Sequence, residues 1–319
     1  MVDKHHSVIY NVKNYTKLPE LPNPLKKERN MIALQGKKAI VTGGAMGIGL
    51  ATCRRLIKEG CEVTIWDLSE KDLDAAAKEL KEAGGIVFPY RCDVADKNRV
   101  HELAVQARKD MGRVDILINN AGYVRHGMFW EQPVENAVKQ MDVNVNALFY
   151  AIHEFLPEMM QRNSGHIVNV SSGVAVTSAP GLAAYTTSKW AVWGLTDVLR
   201  LEMMTVGKNG VKFTSVHPGN ILTGMFEGFS LNFLGRLIAP PVKNHDIIAK
   251  GIVEKGLKKQ RHLVVIPWQI YIGMMLRGLI PDFILGRMAL MVGLGSCVKN
   301  YKGRKGYVHS TSENDPGKN

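Results

Sequence analysis

With 319 residues, 45% hydrophobic and 22% charged, the chain holds enough apolar material for one large core and too much to remain unfolded. The formal net charge is +12, yet the lysines lack interleaved aromatics or a recognised module, so no nucleic-acid partner is expected. Four scattered cysteines, Cys53, Cys61, Cys92 and Cys297, form no disulfide framework and imply a reduced, intracellular protein.

Residues 1–35 read as a polar, proline-punctuated arm without an apolar run of signal-peptide type, which implies a cytoplasmic protein. Lys37 to Val41 then reads as a short buried strand running into Thr42-Gly43-Gly44-Ala45-Met46-Gly47-Ile48-Gly49 and a helical pattern. Glycines at 43, 47 and 49 allow a tight turn and a close approach of backbone to a pyrophosphate, which the following helix N-terminus favours. The next strand, Glu62 to Asp67, ends in a carboxylate about 20 residues beyond the glycines, where it can accept hydrogen bonds from a ribose diol. A 2′-phosphate would be repelled by Asp67, and Met46, Leu68 and Ser69 supply no balancing cation, so NAD is favoured over NADP. The competing reading makes Asp67 the cap of a helix beginning near Ser69.

Further strands are predicted at Ile86 to Arg91, Asp115 to Asn119, His166 to Ser172, Val211 to His217 and Leu263 to Pro267, with helical patterns between them. That alternation argues an α/β fold, a Rossmann-type doubly wound parallel sheet in which ligands gather at strand carboxyl ends such as Asn119-Asn120-Ala121-Gly122. Behind the strand ending in Ser172, Tyr185 and Lys189 stand four apart in a helical pattern and share a face. A free phenol titrates near pH 10; a neighbouring cation lowers that value and makes tyrosine a usable acid/base. A Tyr and a Lys at this spacing are otherwise an ordinary solvated helix face.

After Pro218-Gly219, residues 220–234 are rich in Met and Phe, which with Gly173 to Val176 points to an apolar pocket or, alternatively, to plain core packing. From Leu263 to Val298 the chain is rich in Met, Leu and Ile, but its uncharged run is shorter than the about 20 residues that span a bilayer. Two short amphipathic helices are expected in 268–298, which close the substrate cleft, lie on a membrane surface or pack on a second subunit. Lys255, Lys258, Lys259 and Arg261 before the segment, and Lys299, Lys302, Arg304 and Lys305 after it, favour anionic lipid. No metal site is suggested: His5 and His6 lie in the polar arm, and His126, His153, His166 and His217 lack ligand spacing.

Taken jointly and in order, Thr42-Gly43…Gly47-Ile48-Gly49, the segment Asn119 to Gly122, Asn144, Ser172, the Tyr185/Lys189 pair and Pro218-Gly219 resemble the short-chain dehydrogenase/reductase family over roughly residues 36–267. The C-terminal pattern resembles its hydroxysteroid and retinol branches. The resemblance implies that Tyr185 exchanges the proton and Ser172 hydrogen-bonds the substrate oxygen. Lys189 would hold the nicotinamide ribose, and Asn144 would help position a relay water. It also implies that Asp93 and Val94 lie near adenine, Asn120 and Ala121 along the cofactor, and Ile221 and Thr223 against the carboxamide. Ser171 and Asn146 are the neighbouring residues set aside, Ser171 as a maker of local backbone hydrogen bonds.

The expected organisation is an arm (1–35), a catalytic unit (36–267), and an apolar helical extension with a basic tail (268–319). The expected protein is an NAD(H)-dependent oxidoreductase acting on a lipophilic secondary alcohol or ketone, as a homodimer or homotetramer with possible peripheral membrane contact. Alternatives are a reductase of 3-oxoacyl thioesters or polyols and, from another class, a non-catalytic nucleotide-binding scaffold on a lipid surface.

Overall fold

Seven parallel strands pair in the order β3-β2-β1-β4-β5-β6-β7 in the computed structural model, which describes residues 31–298. Most of the expected arm, with His5 and His6, and the basic tail from Lys299 onward lie outside the described residues. The strands are β1 (Lys38–Thr42), β2 (Glu62–Asp67), β3 (Val87–Arg91), β4 (Ile116–Asn119), β5 (Gly165–Val170), β6 (Val211–Pro218) and β7 (Leu263–Ile266). Every predicted strand is present. The fifth stops at Val170, short of its predicted end, although Ser171 N still donates to Val216 O and Gly173 N to Pro218 O, each at 2.8 Å.

The five inner strands are buried on both faces, as a parallel sheet covered by helices requires, whereas the edge strands β3 and β7 are only partly buried. Alternation along β1 and β2 sends Val41 and Ile65 into one core layer and Ile40 and Trp66 into the other. The first layer lies under α1 (Gly47–Lys58), α2 (Glu70–Glu82), α9 (His245–Lys250) and its π-helical continuation Gly251–Lys258. The second lies under α3 (Lys97–Met111), α5 (Ala147–Gln161) and α7 (Ala183–Thr205), with Phe155 tilted against Trp66. Because β1 pairs with both β2 and β4, the strand order reverses there, and a crevice opens at the carboxyl ends of these strands.

Between the two layers and the C-terminus stand α4 (Val134–Met141), α6 (Val174–Thr177), α8 (Phe233–Ile238), α10 (Gln269–Arg277) and α11 (Asp282–Met291). The two helices expected in 268–298 are α10 and α11. Only α10 buries a residue, Ile270; α11 buries none, so its apolar character is not confined to a packed stripe. No helix among the described residues is long and apolar enough to cross a membrane. All four cysteines are free and buried. Burial pushes the thiols of Cys61 and Cys92 up to about 12 and that of Cys297 to about 11, and raises Cys53 as well.

Candidate active site

The crevice begins at the glycine-rich turn, where Gly43 and Gly47 take positive φ of 61° and 57°. A Cβ at Gly49 would stand 2.0 Å from the carbonyl oxygen of Gly43, so only glycine lets the helix start this close to the strand end. Asn120 braces the same turn: its carboxamide nitrogen donates to the carbonyls of Thr42 and Gly43, each at 3.0 Å. Thr42 Oγ1 accepts from the backbone N–H groups of Asn120 and Ala121, each at 3.0 Å, joining the ends of β1 and β4. Asn120 thus shapes the groove through the turn it holds.

Asp67 closes the far side. Its Oδ2 accepts from Ala45 N at 3.0 Å and its Oδ1 from Ser69 N at 3.3 Å, while burial raises its carboxyl above the usual range against those hydrogen bonds. The cap of α2 is Ser69, which accepts from Asp72 N, so Asp67 is not that cap. Among the described residues no side-chain cap hydrogen bond closes α1 at Met46, which leaves the first-turn N–H groups facing the crevice. Asp93 is exposed and accepts from Ala95 N in a turn, and Val94 beside it is buried. This glycine cradle, open helix end and terminal carboxylate fit a dinucleotide.

On the other side of the switch point α7 carries Tyr185 and Lys189, both buried. Lys189 Nζ lies 5.5 Å from the Tyr185 ring centroid and donates to Val170 O at 3.0 Å. Burial pushes this ammonium down to about 8. Asn144 lies in the π-turn Asp142–Asn146, where the extra residue breaks the α-helical ladder between α4 and α5. Its Oδ1 accepts from Tyr123 N at 2.8 Å, and its Nδ2 donates to Tyr123 O and Ser188 Oγ, each at 2.9 Å. Ser188 Oγ in turn donates to Tyr185 O at 2.7 Å, so Asn144 is tied to the turn of α7 that bears the pair. A Cβ at Gly122 would lie 3.5 Å from Asn144 Oδ1 and 3.7 Å from Lys189 Nζ, which puts the loop after β4 against both.

Ser172 Oγ accepts from Val174 N at 3.3 Å, leaving its own hydrogen available for another acceptor. Ser171 Oγ instead donates to Lys189 O at 2.7 Å, and Asn146 Nδ2 to Asp142 Oδ1, so both have structural partners, that of Ser171 lying on α7 and not in its own turn. Pro218 ends β6, and Gly219 beyond it packs against Pro267; Ile221 is buried and Thr223 exposed.

Over Tyr185 sits an apolar cover. Phe226 meets its ring edge-on at 5.5 Å and Phe229 packs on Phe226, while Val124, Leu182, Leu294 and Cys297 complete the cluster. The C-terminal segment therefore joins the cluster that encloses the tyrosine. Arg277 of α10 binds it further, donating to Val176 O at 2.6 Å and lying 4.6 Å from the Trp190 ring centroid. Sequence reading missed this clamp, along with a buried amide series in which Asn119 donates to Asn169 and Asn169 to Thr196. The strand-end position of Asn119 was its one visible signal. Among the described residues no group of three or more His, Cys, Asp or Glu is placed to hold a metal ion.

The model of the short chain dehydrogenase family matches residues 37–232. Epidermal retinol dehydrogenase 2 of Homo sapiens is 33% identical over 258 residues, covering 81% of this chain and 82% of that protein. The 17-beta-hydroxysteroid dehydrogenase 13 of Rattus norvegicus is 28% identical, covering 79% and 82%. A short chain dehydrogenase/reductase from Burkholderia phymatum, solved in complex with NAD, superposes with a TM-score of 0.70 at 25% identity, covering 80% of this chain and 97% of that one. The chain belongs to the short chain dehydrogenase family, an oxidoreductase acting on CH–OH groups with a nicotinamide cofactor.

Proposed function

We propose that the protein interconverts a lipophilic secondary alcohol and its ketone with NAD(H), using Tyr185 as acid/base. The observation that carries this reading is the apolar cover of Phe226, Phe229 and Val124 on a tyrosine whose other neighbour is the buried Lys189 ammonium. Such a site excludes water around the phenol while keeping a cation beside it, which favours the phenolate that accepts the alcohol proton. Ser172 donates its free hydrogen to the substrate oxygen, and Lys189 holds ribose hydroxyls as it tunes the phenol. Asn144, fixed by Tyr123 and Ser188, positions the water through which Lys189 exchanges protons with solvent. A nicotinamide held in the crevice would supply the hydride acceptor or donor.

NAD is preferred to NADP because Asp67, already holding two backbone N–H groups, sets a carboxylate where a 2′-phosphate would need a cation. Gly43, Gly47, Ile48 and Gly49 form the pyrophosphate turn, Val94 and Asp93 flank the adenine, and Ile221 and Thr223 the carboxamide. Residues 36–267 form the catalytic unit and 268–319 its extension. The inner side of the extension's described part, 268–298, covers the pocket, and the outer side of that part, with α8, rests on an anionic lipid surface. In support, the retinol and hydroxysteroid relatives carry lipophilic substrates in their names.

Purified protein is to be profiled with NAD and NADP against steroid, retinoid, long-chain secondary alcohol, acyl-thioester and polyol substrates. The expected result is NAD-linked turnover confined to the apolar alcohols and ketones, lowered at least ~100-fold in Tyr185→Phe with NAD affinity nearly unchanged. Better turnover with NADP overturns the Asp67 argument. Polyol or thioester turnover overturns the substrate class, and an undiminished Tyr185→Phe overturns the role of the phenol.

A further inference from the structure

His217, set aside in the sequence as a histidine without metal-ligand spacing, is fully buried on β6 and touches its own strand, the loop after β5 and α7. Its Nδ1 lies 3.1 Å from Ser172 O, its Nε2 lies 2.8 Å from Ser215 Oγ, and its ring meets Trp193 of α7 edge-on with centroids 5.1 Å apart. A carbonyl oxygen can only accept, so Nδ1 carries the hydrogen. In a neutral imidazole Nε2 is then an acceptor, and the Ser215 hydroxyl donates to it. The neutral form is the one the surroundings favour: burial, aided by the nearby Lys189 charge, pushes the ring down to about 4 against the hydrogen bond to Ser172 O.

The consequence falls on Ser172. Its carbonyl also accepts from Ala175 N at 3.1 Å, so both lone pairs of that oxygen are engaged, while its Oγ is held by Val174 N. The serine stands just past the assigned end of β5, with the backbone on either side tied to β6 by Ser171 N donating to Val216 O and Gly173 N to Pro218 O, each at 2.8 Å, and the His217 bond adds a side-chain tether to the serine's own carbonyl. We infer that His217 is a positioning residue that fixes Ser172 for the substrate oxygen through a neutral, Nδ1-protonated imidazole, registered against the Tyr185 helix by Trp193. The plain alternative is a histidine that fills core space with its polar atoms satisfied. That alternative requires neither one particular tautomer nor any dependence of turnover on the Nδ1 hydrogen.

The inference rests on the proposed role of Ser172, so the experiment separates the two. Turnover and NAD affinity are measured for wild type, Ser172→Ala, His217→Leu, His217→Asn and the double variant Ser172→Ala/His217→Leu. Asn carries an N–H at the place of Nδ1, whereas Leu carries none. The expected result is a kcat at least ~10-fold lower in His217→Leu with NAD affinity within about 2-fold of wild type, and a largely restored kcat in His217→Asn. His217→Leu should cost nothing further once Ser172 is alanine. An unchanged kcat in Ser172→Ala overturns the serine's role and this inference with it. A depressed Ser172→Ala beside an unaffected His217→Leu, or an Asn variant no better than Leu, overturns the inference alone. Because His217→Leu leaves a buried polar gap, the wild-type tautomer is also read by nitrogen NMR of histidine-labelled protein. A neutral Nδ1–H ring at pH 7 is expected, and an Nε2–H or charged ring overturns the proposal.

Discussion

Lys189 is held where an ammonium is poorly solvated: burial alone moves it from the usual 10.5 to about 8, with Val170 O as its hydrogen-bond acceptor. The unfolded chain therefore binds this proton more tightly than the folded one. Below pH 8 folding carries the full cost of that difference, roughly 3 kcal/mol, and the cost is relieved as pH rises from 8 toward 10.5. Replacing the side chain by methionine keeps much of its length, removes the charge and gives up one hydrogen bond of about 1 kcal/mol. Lys189→Met is thus expected to melt about 3–6 °C above wild type at pH 7, with the gap narrowing by pH 9.5, while turnover collapses. Thermal melts across that pH range check it; a lower or equal melting point at pH 7 refutes the accounting.

At the scale of elements, the glycine-rich turn and α7 make opposite demands on glycine. Gly49→Ala drives a Cβ into Gly43 O and the Asn120 amide, so it is expected to abolish measurable NAD binding and destabilise the fold by roughly 1–3 kcal/mol. Gly194, on the exposed side of α7 with nothing within 4 Å of an added Cβ, should accept alanine with a gain of roughly 0.5–1 kcal/mol. Calorimetry and NAD titration of the two variants test the contrast. What the sequence made legible follows the same line. Strands such as Ala39–Val41 are runs of apolar residues between turn signals, and the Tyr185/Lys189 pair obeys helical spacing, so both could be read locally. The π-turn at Asn144, the bridge from His217 to Ser172 and the Arg277 clamp depend on side chains meeting across 21, 45 and 101 positions, which no local pattern encodes. The amphipathic reading of α11 missed for a related reason: periodicity states which residues are apolar, not which side finds a neighbour.

For the whole molecule, the C-terminal helices are among the described elements that leave large apolar side chains exposed. Phe233 is 79% exposed on α8, Leu279 78% between α10 and α11, and Phe283 66% on α11. The start of α8 is fastened to the end of α11 by the Asn232 amide donating to Met291 O at 2.7 Å, so these residues belong to joined helices. Trp268 and Tyr271 add amphipathic rings, and Arg236, Arg277 and Arg287 outnumber Glu227 and Asp282 among the charges of these segments. The protein should therefore sediment with anionic vesicles at low salt and detach as salt approaches 1 M, where the screening length falls to about 3 Å. Phe233→Glu with Leu279→Glu should abolish sedimentation without loss of fold. If full-length protein stays in the supernatant with anionic vesicles at low salt, these exposed side chains form a contact between subunits of a homodimer or homotetramer.

The four buried thiols have a use that their chemistry alone does not announce. Cys53, Cys61 and Cys92 lie on α1, just before β2 and just after β3, whereas Cys297 belongs to the cluster over Tyr185. A thiol held protonated by burial reacts with an alkylating reagent only when its surroundings open. Alkylation of Cys297 therefore times the lifting of the C-terminal cover, and alkylation of the other three times the loosening of the sheet. The native chain carries its own two clocks, one for the mouth of the pocket and one for the body beneath it.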